Sequence, residues 1–337
     1  MLLEKLCQLS GVSGNEKEVR EFICNEIDGS CEYQIDPLGN IIAFKKGKKV
    51  PDKKLMIAAH MDEVGLIVTS IKADGTLKIS PVGGVDAGVV IGRQVLVGDE
   101  KLVGVIGAKA VHNLSAEEKK TASKFSKLYV DIGASNKEEA EKHVSMGDII
   151  TFKSEFIEFG NDKIKGKAID DRAGCAIMIE LIKGELEYDT TFVFTVQEEI
   201  GTRGAKVATY TVKPDFAIVL ETTTAADIPV ASEEKRVCQL GSGAVVSYMD
   251  RATIYDRELY KLAFTVAAEK NISIQTKTMI AGGNDSGAIH VSNGGVRTLA
   301  ISAPCRYLHS PSCVVNGNDL IACRDLAKVL IAKICEL

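Results

Sequence analysis

An α/β fold on a mostly parallel sheet, interrupted by a small inserted β-rich domain, is what this sequence predicts. Two observations predict it. Short uninterrupted apolar runs alternate with helical segments in the first and last parts of the chain, the pattern of strands buried on both faces. Between them, from about Gly65 to about Asn161, the texture turns to Val, Ile and Gly, with turn signals at Asp74-Gly75, Gly83-Gly84 and Gly147-Asp148. The expected division is therefore residues 1–64 with 162–337 as one domain and 65–161 as the insertion.

Residues 1–28 place Leu2, Leu3, Leu6, Leu9 and then Val19, Phe22 and Ile23 at helical spacing, broken at Gly11–Gly14. Leu55–Ala59 reads as a buried strand, Asp171–Leu186 as a helix, and Thr190–Val196, Phe216–Leu220 and Thr298–Ser302 as further strands. Leu320–Ile334 closes the chain as an amphipathic helix. In the insertion, Val89–Val97 and Leu102–Ala108 read as strands, with helical pieces around Ser115–Thr121 and Lys137–Val144.

At 337 residues the chain is long enough for one large or two medium domains. A net charge of −5, with Lys45–Lys54 as its one lysine-dense stretch, gives no footprint for nucleic acid. No apolar run approaches a membrane span, and Glu4 and Lys5 break the apolar core a signal peptide would need. Nine cysteines without a CxxC pair point away from a zinc knuckle and toward a reducing compartment, so a cytoplasmic location is expected.

Five places set a His or a carboxylate at a strand end or helix start. Leu55–Ala59 leads into His60 and Asp62, Thr190–Gln197 into Glu198-Glu199, Phe216–Leu220 into Glu221, and Thr298–Ser302 through a short loop into His309; Asp170-Asp171 opens a helix. Open α/β sheets bind ligands at the carboxyl ends of their strands, so these side chains converge on one rim. Carboxylates packed so closely repel one another unless cations intervene. A donor set of nitrogen and oxygen without sulfur suits Zn²⁺, Mn²⁺ or Co²⁺, and its size suits two ions. Singly, each residue also has a plain reading: a satisfied structural His, a helix-start Asp meeting the dipole, a solvated Glu pair. His112, His143 and His290 are read as structural or surface residues.

These residues sit in HMDEVG (His60–Gly65), AIDDRAG (Ala168–Gly174), VQEEIGTRGA (Val196–Ala205), GGNDSGAI (Gly282–Ile289) and RYLHSP (Arg306–Pro311), with softer matches in SGVSGNE and YMDRATI. In that order, across nearly the whole chain, they resemble the M42 metallopeptidases, the tetrahedral or glutamyl aminopeptidase family. The resemblance implies a zinc-peptidase catalytic domain and an aminopeptidase acting on short peptides with a free N-terminus. It implies two divalent ions, usually zinc or cobalt: His60 and Glu221 on one, Glu199 and His309 on the other, Asp170 bridging. Glu198 would be the general base and Asp62 would orient His60. It further implies dimers built on the insertion and a homo-oligomeric dodecamer built from them. Glu221 departs from the family's usual Asp, and Asn284-Asp285-Ser286 from its usual Thr-Asp-Ala. The rival readings are another two-metal amidohydrolase, a carboxypeptidase or deacetylase, and a glycoside hydrolase, since some members of the family are labelled endoglucanases. The second rival leaves His60 and His309 unexplained, and the chain has no Trp for sugar stacking.

Overall fold

In a computed structural model describing residues 1–337, an eight-stranded sheet forms the larger body. Its spatial order is Glu32–Ile35, Ile41–Lys45, Thr190–Thr195, Leu55–His60, Phe216–Thr224, Arg297–Cys305, Ala244–Val246 and Ile274–Thr276. The four central strands from Thr190–Thr195 to Arg297–Cys305 run parallel, and antiparallel pairings join them to the outer strands on both sides.

Alternation along the central strands divides the core by size. Leu55, Ile57, Phe192, Phe194, Phe216, Ile218 and Leu220 point to one face, where Ile169–Lys183, Gly317–Ile334 and the two N-terminal helices cover them. Met56, Ala58, Val193, Ala217 and Val219 point to the other, where Ala205 and Ala208 of the helix Arg203–Val212 pack closely. Period-two alternation of large against small residues thus sets which face takes the bulkier helical layer.

The sheet pairings run past the ends that local pattern suggests. Phe216–Thr224 stays paired with Arg297–Cys305 as far as Thr224 opposite Cys305, so Glu221 lies inside its strand and not beyond it.

The insertion closes into a six-stranded barrel, in the order Gly65–Ile71, Leu77–Val82, Tyr129–Asp131, Leu102–Gly107, Gln94–Val97, Ile149–Phe152. Leu66, Val68, Ile79, Val95, Ile106, Val130 and Ile150 fill it. Val89–Val97, expected as one strand, is instead the short helix Ala87–Val90 followed by the strand Gln94–Val97. Asp86 caps that helix by accepting from the Gly88 amide, and Gly92, at φ +75°, makes the turn between the two. The helical pieces are shorter than expected: Glu118–Lys120 is a single 3₁₀ turn and Lys137–Ala140 one α turn. The tail of the insertion leaves the barrel. Ile157–Phe159 pairs with Lys163–Gly166, and that strand with Cys313–Asn316, in a small sheet on the larger body.

One buried charge cluster ties these parts together. Glu63, 2% exposed, accepts from Lys167 Nζ at 2.7 Å, from the Gly11 amide and from Thr151 of the last barrel strand. Arg172, fully buried, donates to the carbonyls of Met61 and Leu6 and lies 3.6 Å from Glu63. Removing one partner of such a pair strands the others without water. We therefore expect Glu63→Gln to destabilise the metal-free protein by about 3–5 kcal/mol. Urea unfolding of the two proteins checks it, and a loss under about 1 kcal/mol would contradict the assigned role.

Candidate active site

Parallel register builds the first half of the site. His60 is the last residue of its strand, and Phe216–Val219 pairs with Leu55–Ala58. Continuing that register by two residues sets Glu221 beside His60, with Oε1 3.6 Å from the imidazole Nε2. On the other side Thr195 lies opposite His60, so the chain leaving that strand brings Glu198 and Glu199 to the same rim.

Asp170 comes from the start of the helix Ile169–Lys183, and its two oxygens face different ways. Oδ1 is 3.4 Å from His60 Nε2, and Oδ2 is 3.3 Å from His309 Nε2. His309 Nε2 is also 3.2 Å from Glu199 Oε2. Two triads result, His60–Asp170–Glu221 and Asp170–Glu199–His309, each with its candidate ligand atoms within 4.8 Å of one another. Glu199 Oε1 is buried and has no hydrogen-bond partner, an acceptor that a cation would satisfy. Two imidazole nitrogens, three carboxylates and no thiolate match the donor preferences of zinc, cobalt or manganese.

The segments that deliver these side chains are locally strained. Ala168, Gln197 and His309 all have positive φ, between 53° and 56°, without being glycine. Each such residue costs roughly 1–3 kcal/mol and persists only where its surroundings enforce it. Asp62 does much of that enforcing. Its backbone carbonyl takes the His60 Nδ1 at 3.0 Å. Its carboxylate accepts from the amides of Glu198 and Glu199 and from Ser13 Oγ, and stands 3.5 Å from His60 Nδ1.

Electrostatics divide the carboxyls. Burial pushes Glu199 up to about 8 and Glu221 up to about 7, with the Asp170 charge adding to both. Burial also raises Glu198 well above its ordinary range, and Asp285 adds to it. Asp170 is equally buried, yet hydrogen bonds from His309 and His60 outweigh that and hold it well below the usual carboxylate range. Burial works against charge on the histidines too, but Asp170 and Glu199 lift His309 to about 9, and Glu221 and Asp170 raise His60.

His60, Asp170, Glu198, Glu199, Glu221 and His309 line one cleft of about 360 Å³, with Asp62 behind them. A larger hollow of about 640 Å³ lies between Met1–Leu3, Phe159 and Ile321, holds no histidine, and offers no comparable chemistry. His112 and His143 are exposed in the barrel region, and His290 bonds the Ser286 carbonyl. Four participants escape a strand-end reading. Asp285 is buried, takes the Thr195 hydroxyl at 2.5 Å and acts on Glu198, and only its place in GGNDSG signals it. Ser13 is signalled by SGVSGNE. Lys277, in the cleft wall, and Gly84, whose carbonyl meets His309 Nδ1, carry no local signal beyond a lysine and a turn.

The model of the M42 glutamyl aminopeptidases matches residues 39–326. The lysyl aminopeptidase of Pyrococcus furiosus is 34% identical, over 99% of this chain and 96% of that one. The solved TET1 peptidase of Pyrococcus horikoshii, which can assemble into a tetrahedron or a large octahedral shell, superposes with a TM-score of 0.87 at 35% identity, covering 98% of each chain. A Thermotoga maritima structure described as an endoglucanase gives 0.83 at 38% identity, covering 100% of this chain and 99% of that one. The match over most of the chain, on the fold just described, makes this protein a member of the M42 glutamyl aminopeptidase family, a hydrolytic metallo-aminopeptidase.

Proposed function

We propose that the chain is a dinuclear aminopeptidase that removes single residues from short peptides with a free amino end. The observation that carries this reading is the pair of triads sharing Asp170. His60 and Glu221 would hold one divalent ion and Glu199 and His309 the other, with one Asp170 oxygen for each. Zinc or cobalt is the expected pair, with manganese as the substitute. Such ions, when bound, polarise a peptide carbonyl and acidify water.

The chain's own residues supply the proton transfers and the orientation. Glu198 lines the cleft beside both triads, its amide fixed by Asp62, and burial makes its carboxylate a stronger base than a solvated one. It takes the proton of the attacking water and returns it to the departing amine. Glu221, longer than the family's usual Asp, meets His60 from within its strand, which supports a ligand role despite the extra methylene.

The barrel is the proposed subunit contact. Val103 and Val105 alternate outward on one strand and are 48% and 42% exposed, an apolar stripe suited to a second copy. The large assemblies of the TET1 relatives, a tetrahedron or octahedral shell and a dodecamer, support a homo-oligomer; dimers on this module and a dodecamer built from them are the proposed form, whose enclosure would admit only short unfolded peptides. No helix is long and apolar enough to cross a membrane, and nine unpaired thiols fit a reducing cytoplasm. An endoglucanase activity would survive chelation. A carboxypeptidase or deacetylase would share the metals and differ in substrate.

Chelation should abolish peptide hydrolysis and Zn²⁺, Co²⁺ or Mn²⁺ should restore it. Loading must displace the protons that His309, Glu199 and Glu221 hold up to about 9, 8 and 7. Ion binding therefore releases protons, and affinity should climb through that window as pH rises and flatten above it; calorimetry in buffers of different ionisation enthalpy reads this. Glu198→Gln should keep both ions while losing about 10²–10⁴-fold in turnover, and near-normal turnover would remove it as the base. Aminoacyl and peptide substrates should lose all cleavage on N-acetylation; equal cleavage would shift the assignment to the deacetylase or carboxypeptidase reading.

A further inference from the structure

Both imidazoles of the site turn Nε2 toward the carboxylates and Nδ1 toward a backbone carbonyl. For His60 that carbonyl belongs to Asp62, two residues on, at 3.0 Å. For His309 it belongs to Gly84, 225 residues away, at the barrel's edge on the cleft, at 3.2 Å. A carbonyl only accepts, so in this contact Nδ1 carries a proton, and Nε2, facing Asp170 and Glu199, is the nitrogen that gives up its proton to ligate. His309 needs an outside partner. It is a third exposed and sits at φ 56° in the loop Arg306–Ser312.

The neighbouring glycine packs on the other half of the same triad. A Cβ on Gly83 would lie 3.3 Å from Glu199 Cβ and 2.9 Å from Val64 Cγ1, and a Cβ on Gly84 would lie 3.2 Å from His309 Nδ1. The Gly83-Gly84 turn thus touches Glu199 and His309, the two residues that belong to one triad alone. His60 takes its partners from Asp62 and Asp171, and Glu221 from Thr222, all in the larger body.

We infer that the Gly83-Gly84 turn is a positioning element for one ion of the pair: through the Gly84 carbonyl and the absence of side chains on both glycines, the inserted barrel orients His309 and seats Glu199, while the His60–Glu221 position is set by the larger body alone. The inference rests on the two-ion reading above. It makes the two positions unequal in a definite direction, because only the Glu199–His309 position depends on where the barrel sits.

Gly84→Ala tests it. Gly84 does not occupy the left-handed region, so alanine fits the backbone, and the added methyl pushes on the imidazole. Gly184→Ala serves as the control, since its methyl meets only backbone oxygens at 3.4 and 3.5 Å at the far end of a helix. Metal-free wild type and both variants are titrated with Co²⁺ by calorimetry and visible absorption. The wild type and the control should take two ions per chain. Gly84→Ala should keep one affinity and lose about 10–100-fold in the other, the usual effect of removing a partner behind a ligand, with an altered cobalt spectrum for that ion only. Equal weakening of both ions, or an unchanged titration, overturns the inference while leaving two ions in place. A wild type that takes fewer than two ions overturns the two-ion reading and the inference with it. If Gly84→Ala does not fold, nitrogen-15 correlation of the His309 ring in zinc-loaded wild type decides, the signal being identified by its loss in His309→Gln. A protonated Nδ1 with zinc on Nε2 supports the inference; the reverse arrangement overturns it.

Discussion

Crowding of negative charge is the constraint on which the rest of the molecule depends. Asp62, Asp170, Asp171, Glu198, Glu199, Glu221 and Asp285 are gathered around two imidazoles, nearly all of them shut away from water. At about 4 Å two like charges repel by roughly 4 kcal/mol even at the effective dielectric of a protein surface, so seven ionised carboxylates cannot coexist here unaided. Burial and mutual repulsion raise the proton affinity of Asp171, Glu198, Glu199 and Glu221, and burial and the Asp62 charge raise that of Asp285. Two escape this: despite its burial Asp62 is held low by His60, Ser13 and the Glu198 amide, and despite its burial Asp170 is held low because an imidazole faces each of its oxygens. The carboxyl held lowest is thus the one placed centrally, which suits the proposed bridging role.

Holding such a cluster together demands rigidity elsewhere. Three strained residues in the segments that deliver the site store energy that ordinary loops would release. Asp62 opposes this on one side, tying His60 to the amides of Glu198 and Glu199. Glu63 opposes it on the other, where Lys167 and Arg172 flank Asp170-Asp171 in sequence and converge on the same carboxylate. Adjacent residues of one short segment therefore serve two tasks: Asp62 shapes the cleft, and Glu63 fastens the cleft to the core.

Much of this is legible in the sequence, for a physical reason. Strands buried on both faces write themselves as uninterrupted apolar runs, and parallel strands deliver their following residues to one rim. Local pattern alone therefore brings His60, Glu198-Glu199 and His309 together. What stays hidden depends on non-local pairing. Glu221 is in-strand because Arg297–Cys305 happens to be long enough to pair with it. Val89–Val97 carries a strand's composition, yet the Asp86 cap turns its first residues into helix. The contact between Gly84 and His309 crosses 225 residues and uses a backbone atom, so no side-chain pattern records it. Asp285 has a motif but no strand end to give it a place at the rim.

That hidden contact changes what the insertion is. Seen as sequence, the barrel begins after the last His60-side residue and ends before Asp170, and reads as separate from the chemistry. In the fold its first and last strands, Gly65–Ile71 and Ile149–Phe152, pair with each other where they enter and leave the larger body, Leu66 opposite Ile150. Glu63 lies two residues before the first and accepts from Thr151 of the last, while also holding Gly11 and Lys167. The two-strand neck is therefore clamped at its base by the same buried carboxylate that braces the Asp170 segment. A clamped neck restrains the barrel's swing, and a restrained barrel keeps the Gly83-Gly84 turn against Glu199 and His309. On the proposed two-ion reading, whatever fixes the barrel from outside would bear on the seat of one ion through a path of named contacts.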